Sequence, residues 1–353
     1  MVAQALLFWR SHPIVPLTEQ LKCFTINPPA PAATCRGLPA NLPPDPVTPS
    51  SAPSAERIRY SAAPGREPLR WPGGARVALW VAPNIEHYEY LPQQVRVRNP
   101  WPRVPHPDIL GYGLRDYGNR VGVWRLMEVF DRFNLPCTVS LSMSVLQMYP
   151  EITGAMLSRS WELMSHGMFN TRYHWGMTED EERAAIDACQ SIHRQFTGKE
   201  LQGWFSPAAS NTLQTPDLVA EAGIRYLCDL YHDDQPTPIQ VRCGELFSLP
   251  YSMEINDSIA WRRGQEGAAF AQKICDEFDT LYAEGAQHGK VMNIAVHPFI
   301  MGQPHRIEHL ANALEYVLSH SGVWCATGSE IINWYCQQQT APSSDEPASD
   351  NTT

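Results

Sequence analysis

The chain of 353 residues has no C-x-x-C pair. Its nine cysteines, at 23, 35, 137, 189, 228, 243, 275, 325 and 336, are odd in number and scattered. An odd, scattered set argues against a disulfide framework, and a zinc–thiolate cluster is disfavoured further. Cys137, Cys228, Cys275 and Cys325 stand in apolar runs and read as buried free thiols of a reducing compartment. A cytoplasmic location is the matching expectation. No run approaches the roughly 20 apolar residues of a membrane span, so no membrane partner is expected. The first ten residues, which end Phe8-Trp9-Arg10, lack the basic start of a signal peptide, and their apolar run is short. Positive charge is also scarce: 27 Lys and Arg stand against 37 Asp and Glu, for a net charge of −10. A nucleic-acid binder would carry a basic patch, and none stands out.

Hydrophobic residues make up 43% of the chain, enough for a substantial core. Thirteen of the 31 prolines fall in residues 1–70, between alanines and serines. Such a segment cannot offset its ordering entropy by burial, so 1–70 is expected to be a disordered extension. The tail 339–353 reads the same way. One domain, 71–338, lies between them, with no internal linker.

Within that domain strands and helices alternate. Strands are predicted at 76–82, 137–142, 161–165, 201–205, 226–229, 246–251, 291–297 and 323–326. Helices are predicted at 117–134, 144–158, 178–196, 216–222, 264–284, 306–319 and 329–336. Thr178 and Glu181 fit a capping box for one of these. Pro83 and Pro298 should stop the first and seventh strands, because proline has no N–H to give a sheet. This order implies a parallel sheet with helices outside: an α/β fold, and over this length a (β/α) barrel, regular or distorted. A doubly wound open sheet is the other arrangement the alternation allows.

Chemistry in parallel α/β folds collects where strands end. Asn84 and Glu86 follow the first strand. His166 ends the third, and Asn170 is four residues on. Ser206 ends the fourth, Asp229 the fifth and His297 the seventh. A carboxylate with two imidazoles suits hydrolysis: one group activates water and another protonates a leaving nitrogen. Each also has a structural alternative. Asp229 fits a helix cap, either histidine a structural role, and Glu86 an ion pair with Arg115, Arg120 or Arg125. Asp233 and Asp234 lie in a polar turn and fit a solvated surface.

Several short motifs occur in an order that resembles the polysaccharide deacetylase (NodB-homology) superfamily. They are Pro83-Asn-Ile-Glu86, Asp116-Tyr-Gly-Asn-Arg-Val-Gly-Val-Trp-Arg125, Ser165-His-Gly167, Gly203-Trp204, Asp233-Asp234, Leu249-Pro-Tyr-Ser252, Asn256-Asp257 and His297-Pro298. The resemblance spans about 75–335. It is closest to the branch of metal-independent allantoinases, cyclic imide hydrolases and peptidoglycan-deacetylase-like proteins. It implies a distorted (β/α) barrel of seven to eight parallel strands.

The departures from the superfamily pattern carry as much information. Classical members have two aspartates where Asn84 and Glu86 stand, one the base and one a metal ligand. They have two metal-binding histidines where this chain has His166 and Asn170. Zinc favours three N, S or carboxylate ligands, and amide oxygen serves it poorly. The cofactor expectation is therefore none, or a weakly held divalent metal such as zinc on Glu86 and His166, with water or His174. The classical arginine motif is replaced by Trp204-Phe-Ser-Pro-Ala-Ala209, and Phe299 follows the His-Pro. Without these arginines, Trp204, Phe205 and Phe299 point to an apolar or aromatic ligand.

The functional expectation is a hydrolase of a non-peptide C–N bond in a small cyclic amide, imide or ureide. Glu86 would position or activate water, His166 support it and His297 act as general acid. Asn84 would donate to a developing oxyanion, and Asn170 would orient the substrate. Trp204, Phe205, Ser206, Asp229 and Phe299 complete the expected substrate-binding set. Two alternatives stand beside this one: a metal-dependent carbohydrate or peptidoglycan N-deacetylase, and a non-catalytic binding descendant. The partner is a small molecule, and homo-oligomers are common among such barrels.

Overall fold

The structure, a computed structural model, describes residues 57–92 and 106–340. The expectations for residues 1–56, the loop 93–105, the tail 341–353, and Cys23 and Cys35 lie outside the described residues.

Among the described residues nine strands form one strongly curled sheet: β1 (Val77–Ile85), β2 (Thr138–Leu141), β3 (Glu162–Ser165), β4 (Gly203–Trp204), β5 (Tyr226–Leu227), β6 (Thr237–Ile239), β7 (Leu246–Ser248), β8 (Lys290–Val296) and β9 (Val323–Cys325). Their order is β6-β7-β5-β4-β3-β2-β1-β8, and β9 pairs with β1. All pairings are parallel except β6 with β7. Eight parallel strands curled this way make the expected distorted (β/α) barrel. The antiparallel β6 is an addition that the sequence reading lacked. Between β7 and β8 the wall is made without a strand. Asn256 forms a single parallel bridge to Ala295, and Val291 N–H donates to Asp234 C=O.

The sheet separates two cores by simple alternation. Along β1, Val77, Leu79 and Val81 join the core between sheet and helices. Ala78, Trp80 and Ala82 face the barrel interior. The same parity puts Leu163, Trp204 and Leu227 outside, and Met164, Phe205, Tyr226 and Cys228 inside. Continued past the strand ends, it turns Asn84, Glu86, His166 and His297 inward. At the opposite end of the barrel Glu162 joins three elements. It accepts from Thr138, Tyr226 and Ser329, and so docks the N-terminus of helix Gly328–Thr340.

Four expectations are corrected. Pro83 does not end the first strand, which runs on to Ile85. Ile85 C=O accepts from Ser142 N–H, so Ile85 and Pro83, two residues apart, both face β2, and Pro83 withholds no N–H from the ladder to β8. The folded region starts before Trp71. Arg57 forms a two-pronged pair with Asp217 at 2.8 and 2.6 Å, and Arg66 one with Asp233 at 2.7 and 2.6 Å. Charge pairing and the burial of Leu69 thus hold a segment whose proline content suggested disorder. Asp233 is therefore paired rather than free in a turn. Of the four cysteines read as buried, Cys137 and Cys228 are, while Cys275 and Cys325 are half-buried.

The helices agree closely where periodicity was strong. Glu179–Thr197 starts at the Thr178–Glu181 capping box and ends at Gly198. The 117–134 region is instead a compound element. Helix Ile109–Tyr117 passes through a π-helical turn, Gly118–Gly122, into helix Val123–Arg132. The glycines in that turn permit contact. A Cβ on Gly118 would sit 2.8 Å from Phe299 N, and one on Gly122 would sit 2.0 Å from Pro298 O. The turn therefore lies directly against the His297–Phe299 loop.

Candidate active site

A cavity of about 330 Å³ opens over the C-terminal ends of the strands. Glu86 lies in its wall, with only 7% of its surface exposed. Two imidazoles converge on Glu86 Oε1: His166 Nε2 at 3.3 Å and His297 Nε2 at 3.7 Å. The other oxygen, Oε2, accepts from the Tyr88 hydroxyl at 2.8 Å, and Asn119 Nδ2 donates to the Glu86 backbone carbonyl at 2.8 Å. Burial by itself would raise the Glu86 carboxyl. His297, His166 and the Tyr88 hydrogen bond outweigh it and hold the group at about 2. Glu86 pairs with histidines, so the alternative of an arginine partner is set aside.

Each imidazole is oriented from behind. His166 Nδ1 faces the Phe205 carbonyl at 3.0 Å, so that nitrogen carries a proton and Nε2 meets the carboxylate. The Phe205 ring stacks on His166 with centroids 4.6 Å apart. His297 Nδ1 lies 2.6 Å from Asp257 Oδ1, and its backbone N–H donates to Oδ2 at 2.8 Å. Burial would lower His297, but the Asp257 and Glu86 carboxylates more than reverse this, and its pKa stands above the ordinary value. Asp257 is the first residue of the short helix Asp257–Arg262, capped by Asn256.

Asn170 also lines the cavity, and its Nδ2 donates to the Tyr88 oxygen at 2.5 Å. Its Oδ1 is buried and, among the described residues, has no hydrogen-bond partner. Phe205 and Phe299 form aromatic walls, as expected, together with Tyr173, Tyr231, Tyr251 and Trp261.

Other expected site residues lie elsewhere. Trp204, Ser206 and Asp229 are not in the cavity wall. Trp204 Nε1 donates to Ser206 Oγ at 3.1 Å, and Asp229 accepts from Ser206 N at 2.9 Å and from Ser206 Oγ at 2.7 Å. The three form a polar knot on the outer side of the sheet. Burial pushes Asp229 up to about 6, against these hydrogen bonds. His174 is also remote, buried against Glu182 with Nδ1 3.1 Å from Oε1. Asn84 does line the cavity, but its N–H groups are engaged. Nδ2 faces the carbonyls of Ala82 and Val296 at 3.2 and 3.4 Å, and Oδ1 accepts from Tyr251 at 3.1 Å. Asn84 ties β1 to β8 rather than aiming a donor at an oxyanion.

Four residues given no role in the site by the sequence stand in or beside it: Tyr88, Arg115, Asp257 and Arg262. Arg115 packs its guanidinium over the Tyr88 and Phe299 rings, 4.4 and 5.3 Å from their centroids. The expectation of a cavity without arginine is thus overturned, because the two come from helices remote from the motifs that usually supply them. Asp257 was legible only as part of the Asn256-Asp257 motif.

The donor set does not suit zinc. Three strong ligands are needed; beside Glu86 and His166, Asn170 offers only a neutral amide, and His297 is turned to Asp257 through Nδ1 and stands 3.7 Å from Glu86 Oε1. Tyr88 also occupies Glu86 Oε2. Among the described residues no three His, Cys, Asp or Glu side chains are arranged to hold a metal ion.

Four similarities to known proteins bear on this arrangement. Residues 114–227 match the family "Polysaccharide deacetylase". The crystal structure of the probable polysaccharide deacetylase from Pseudomonas aeruginosa PAO1 is 30% identical, covers 78% of this chain and 96% of its own, and superposes with a TM-score of 0.68. The crystal structure of Puue allantoinase is 28% identical, covers 81% of this chain and all of its own, with the same TM-score of 0.68. The peptidoglycan deacetylase of Helicobacter pylori is 23% identical over 64% of this chain and 87% of its own.

Proposed function

This chain belongs to the polysaccharide deacetylase family and is a hydrolase of C–N bonds, and on that premise we propose that its substrate is a small cyclic amide, imide or ureide whose ring it opens. The observation that carries this reading is the convergence of two separately oriented imidazoles on one ionised carboxylate, inside an aromatic cavity. The similarity to an allantoinase, a hydrolase of a cyclic ureide, supports it.

Glu86 and His166 hold the water. With Oε1 and Nε2 3.3 Å apart, one water oxygen can reach both at about 2.8 Å. A carboxyl held at about 2 is a weak base, so the proton passes to His166 Nε2. Glu86 then stabilises the imidazolium that forms. The water oxygen bonds to the ring carbonyl carbon. His297, charged between Asp257 and Glu86, gives its Nε2 proton to the ring nitrogen as the C–N bond breaks. One water is consumed, and the product carries a new carboxylic acid and a freed nitrogen. No step needs a metal. The broad aromatic wall suits a flat ring better than a long saccharide.

The test is an assay of the full chain, purified without added metal, on succinimide, allantoin and N-acetylated chito-oligosaccharides. Ring opening of an imide or ureide is expected, with the acetylated sugars untouched. Chelator-sensitive acetate release from the sugars, with both rings left intact, would overturn the reading and favour the metal-dependent deacetylase.

A further inference from the structure

The buried acceptor on Asn170 has no hydrogen-bond partner among the described residues. Asn170 is 5% exposed, and its Oδ1 is enclosed and makes no hydrogen bond. Buried amide oxygens are ordinarily paired, so an unpaired one in a cavity wall marks a place for a ligand donor.

The neighbours determine which end of the amide is left unpaired. Tyr88 has a single hydroxyl proton, and it goes to Glu86 Oε2. Glu86 is ionised and can only accept. The Tyr88 oxygen must therefore accept from Asn170, and Nδ2 supplies that hydrogen at 2.5 Å. The amide cannot turn over without setting Oδ1 against an oxygen that has no proton left to give. Arg115, stacked over the Tyr88 ring, holds that ring in place from the other side. A carboxylate, a phenol and an amide thus form a directional relay that ends in a lone acceptor.

We propose that Asn170 is the specificity-determining residue of this site, and that its Oδ1 accepts a ring N–H of the substrate. This rests on the ring-opening reading above and narrows it. The substrate class is the N-unsubstituted cyclic imides and ureides, in which an N–H adjoins the carbonyl under attack. A ring alkylated at that nitrogen leaves Oδ1 unpaired and is rejected. A cavity built to pair with a substrate N–H discriminates strongly against analogues that lack it.

The experiment compares a parent imide with its N-methyl derivative on three full-length proteins: wild type, Asn170→Ala and Asn170→Asp. Wild type should prefer the parent in kcat/KM by about 100-fold or more. Asn170→Ala should lose most activity on the parent and change little on the N-methyl ring, so the preference collapses to within about tenfold. Asn170→Asp should keep the preference, since a protonated aspartic acid can still donate to Tyr88 and accept from the ring. A purely structural role for Asn170 predicts equal losses on both rings, and that outcome would overturn the inference while leaving the ring-opening function standing. Equal turnover of both rings by wild type would overturn it too. Failure of wild type to open either ring, or any of a wider imide and ureide set, would bring down the ring-opening reading and this inference with it.

Discussion

The carboxylate of Asp257 holds His297 twice: Oδ2 accepts its backbone N–H at 2.8 Å, and Oδ1 meets its Nδ1 at 2.6 Å. One side chain thus fixes both the position of the strand end and the orientation of the ring. Against burial, which lowers it, Asp257 and Glu86 raise the His297 pKa above its ordinary value, with Arg262 in weak opposition.

This gives the alkaline side of the pH profile. In the proposed mechanism His297 serves as an acid only while protonated, and its pKa lies above the ordinary 6.5. Activity should persist below that raised value and fall as pH rises through it. Asp257→Asn should move the descent to lower pH and reduce kcat by about 100- to 10,000-fold. A kcat/KM profile against pH for both proteins is the measurement. An alkaline limb that does not move would remove His297 from the acid role.

Glu86 gives the opposite sign. Its folded value of about 2 lies below the ordinary 4.5, so ionised Glu86 stabilises the fold above 4.5. That contribution fades as pH falls from 4.5 toward about 2. Thermal midpoints measured across this window should drop more steeply for wild type than for Glu86→Gln. The same substitution should lower kcat by about 100-fold or more at neutral pH, because the imidazolium formed on His166 loses its counter-charge. Near wild-type turnover in Glu86→Gln would remove the carboxylate from the chemistry.

The third prediction concerns metal. Purified without additions, the full chain should hold well under one zinc per chain by elemental analysis, and a chelator should leave ring opening unchanged. Asn170→His supplies the missing imidazole and should raise zinc uptake. One tightly held zinc per wild-type chain, with chelator-sensitive activity, would show that the ligand set has been misjudged.

Much of this arrangement could be read from the residues in order. The eight parallel strands stood out as apolar runs, and Glu86, His166, Asn170 and His297, which the structure brings into one cavity wall, stood out because parallel α/β folds collect polar side chains at and just beyond strand ends. The misplacement of Trp204, Ser206 and Asp229 has one cause. Successive residues on a strand face opposite sides, so Trp204 and Phe205 cannot both line one cavity. Phe205 faces inward, and Trp204 and Ser206 therefore face the helices. Applying parity from Phe205 would have excluded both. Asp229 follows in the same way from inward-facing Cys228. Tyr88, Arg115 and Arg262 were given no place in the cavity for a different reason. They reach the cavity from loops and from helices Ile109–Tyr117 and Asp257–Arg262, where no strand-end rule applies. The anchoring of Arg57 and Arg66 was hidden because their partners lie some 160 residues away in sequence, at separations of 160 and 167.

The last prediction tests whether the π-helical turn buttresses the His297–Phe299 loop. Gly122 lies in that turn, and an added Cβ would fall 2.0 Å from Pro298 O and 2.8 Å from Pro298 C. The obstacle is backbone, which cannot rotate aside as a flexible side chain does. Gly122→Ala must therefore move the turn or move Pro298, and His297 precedes Pro298 directly. Overpacking of this kind costs about 1–3 kcal/mol. Displacing a reacting group by about 1 Å can cost about 100-fold in rate. Gly113→Ala provides the control, because it sits in helix Ile109–Tyr117 with nothing within 4 Å of its would-be Cβ. That change should be neutral or stabilise by about 0.5–1 kcal/mol. Urea unfolding and kcat on one ring substrate, measured for both variants, decide the matter. Loss of both stability and kcat in Gly122→Ala alone supports the buttress. Equal behaviour of the two variants would mean that the turn and the His-Pro loop move independently, and that the close approach of Gly122 to Pro298 does not hold His297 in place.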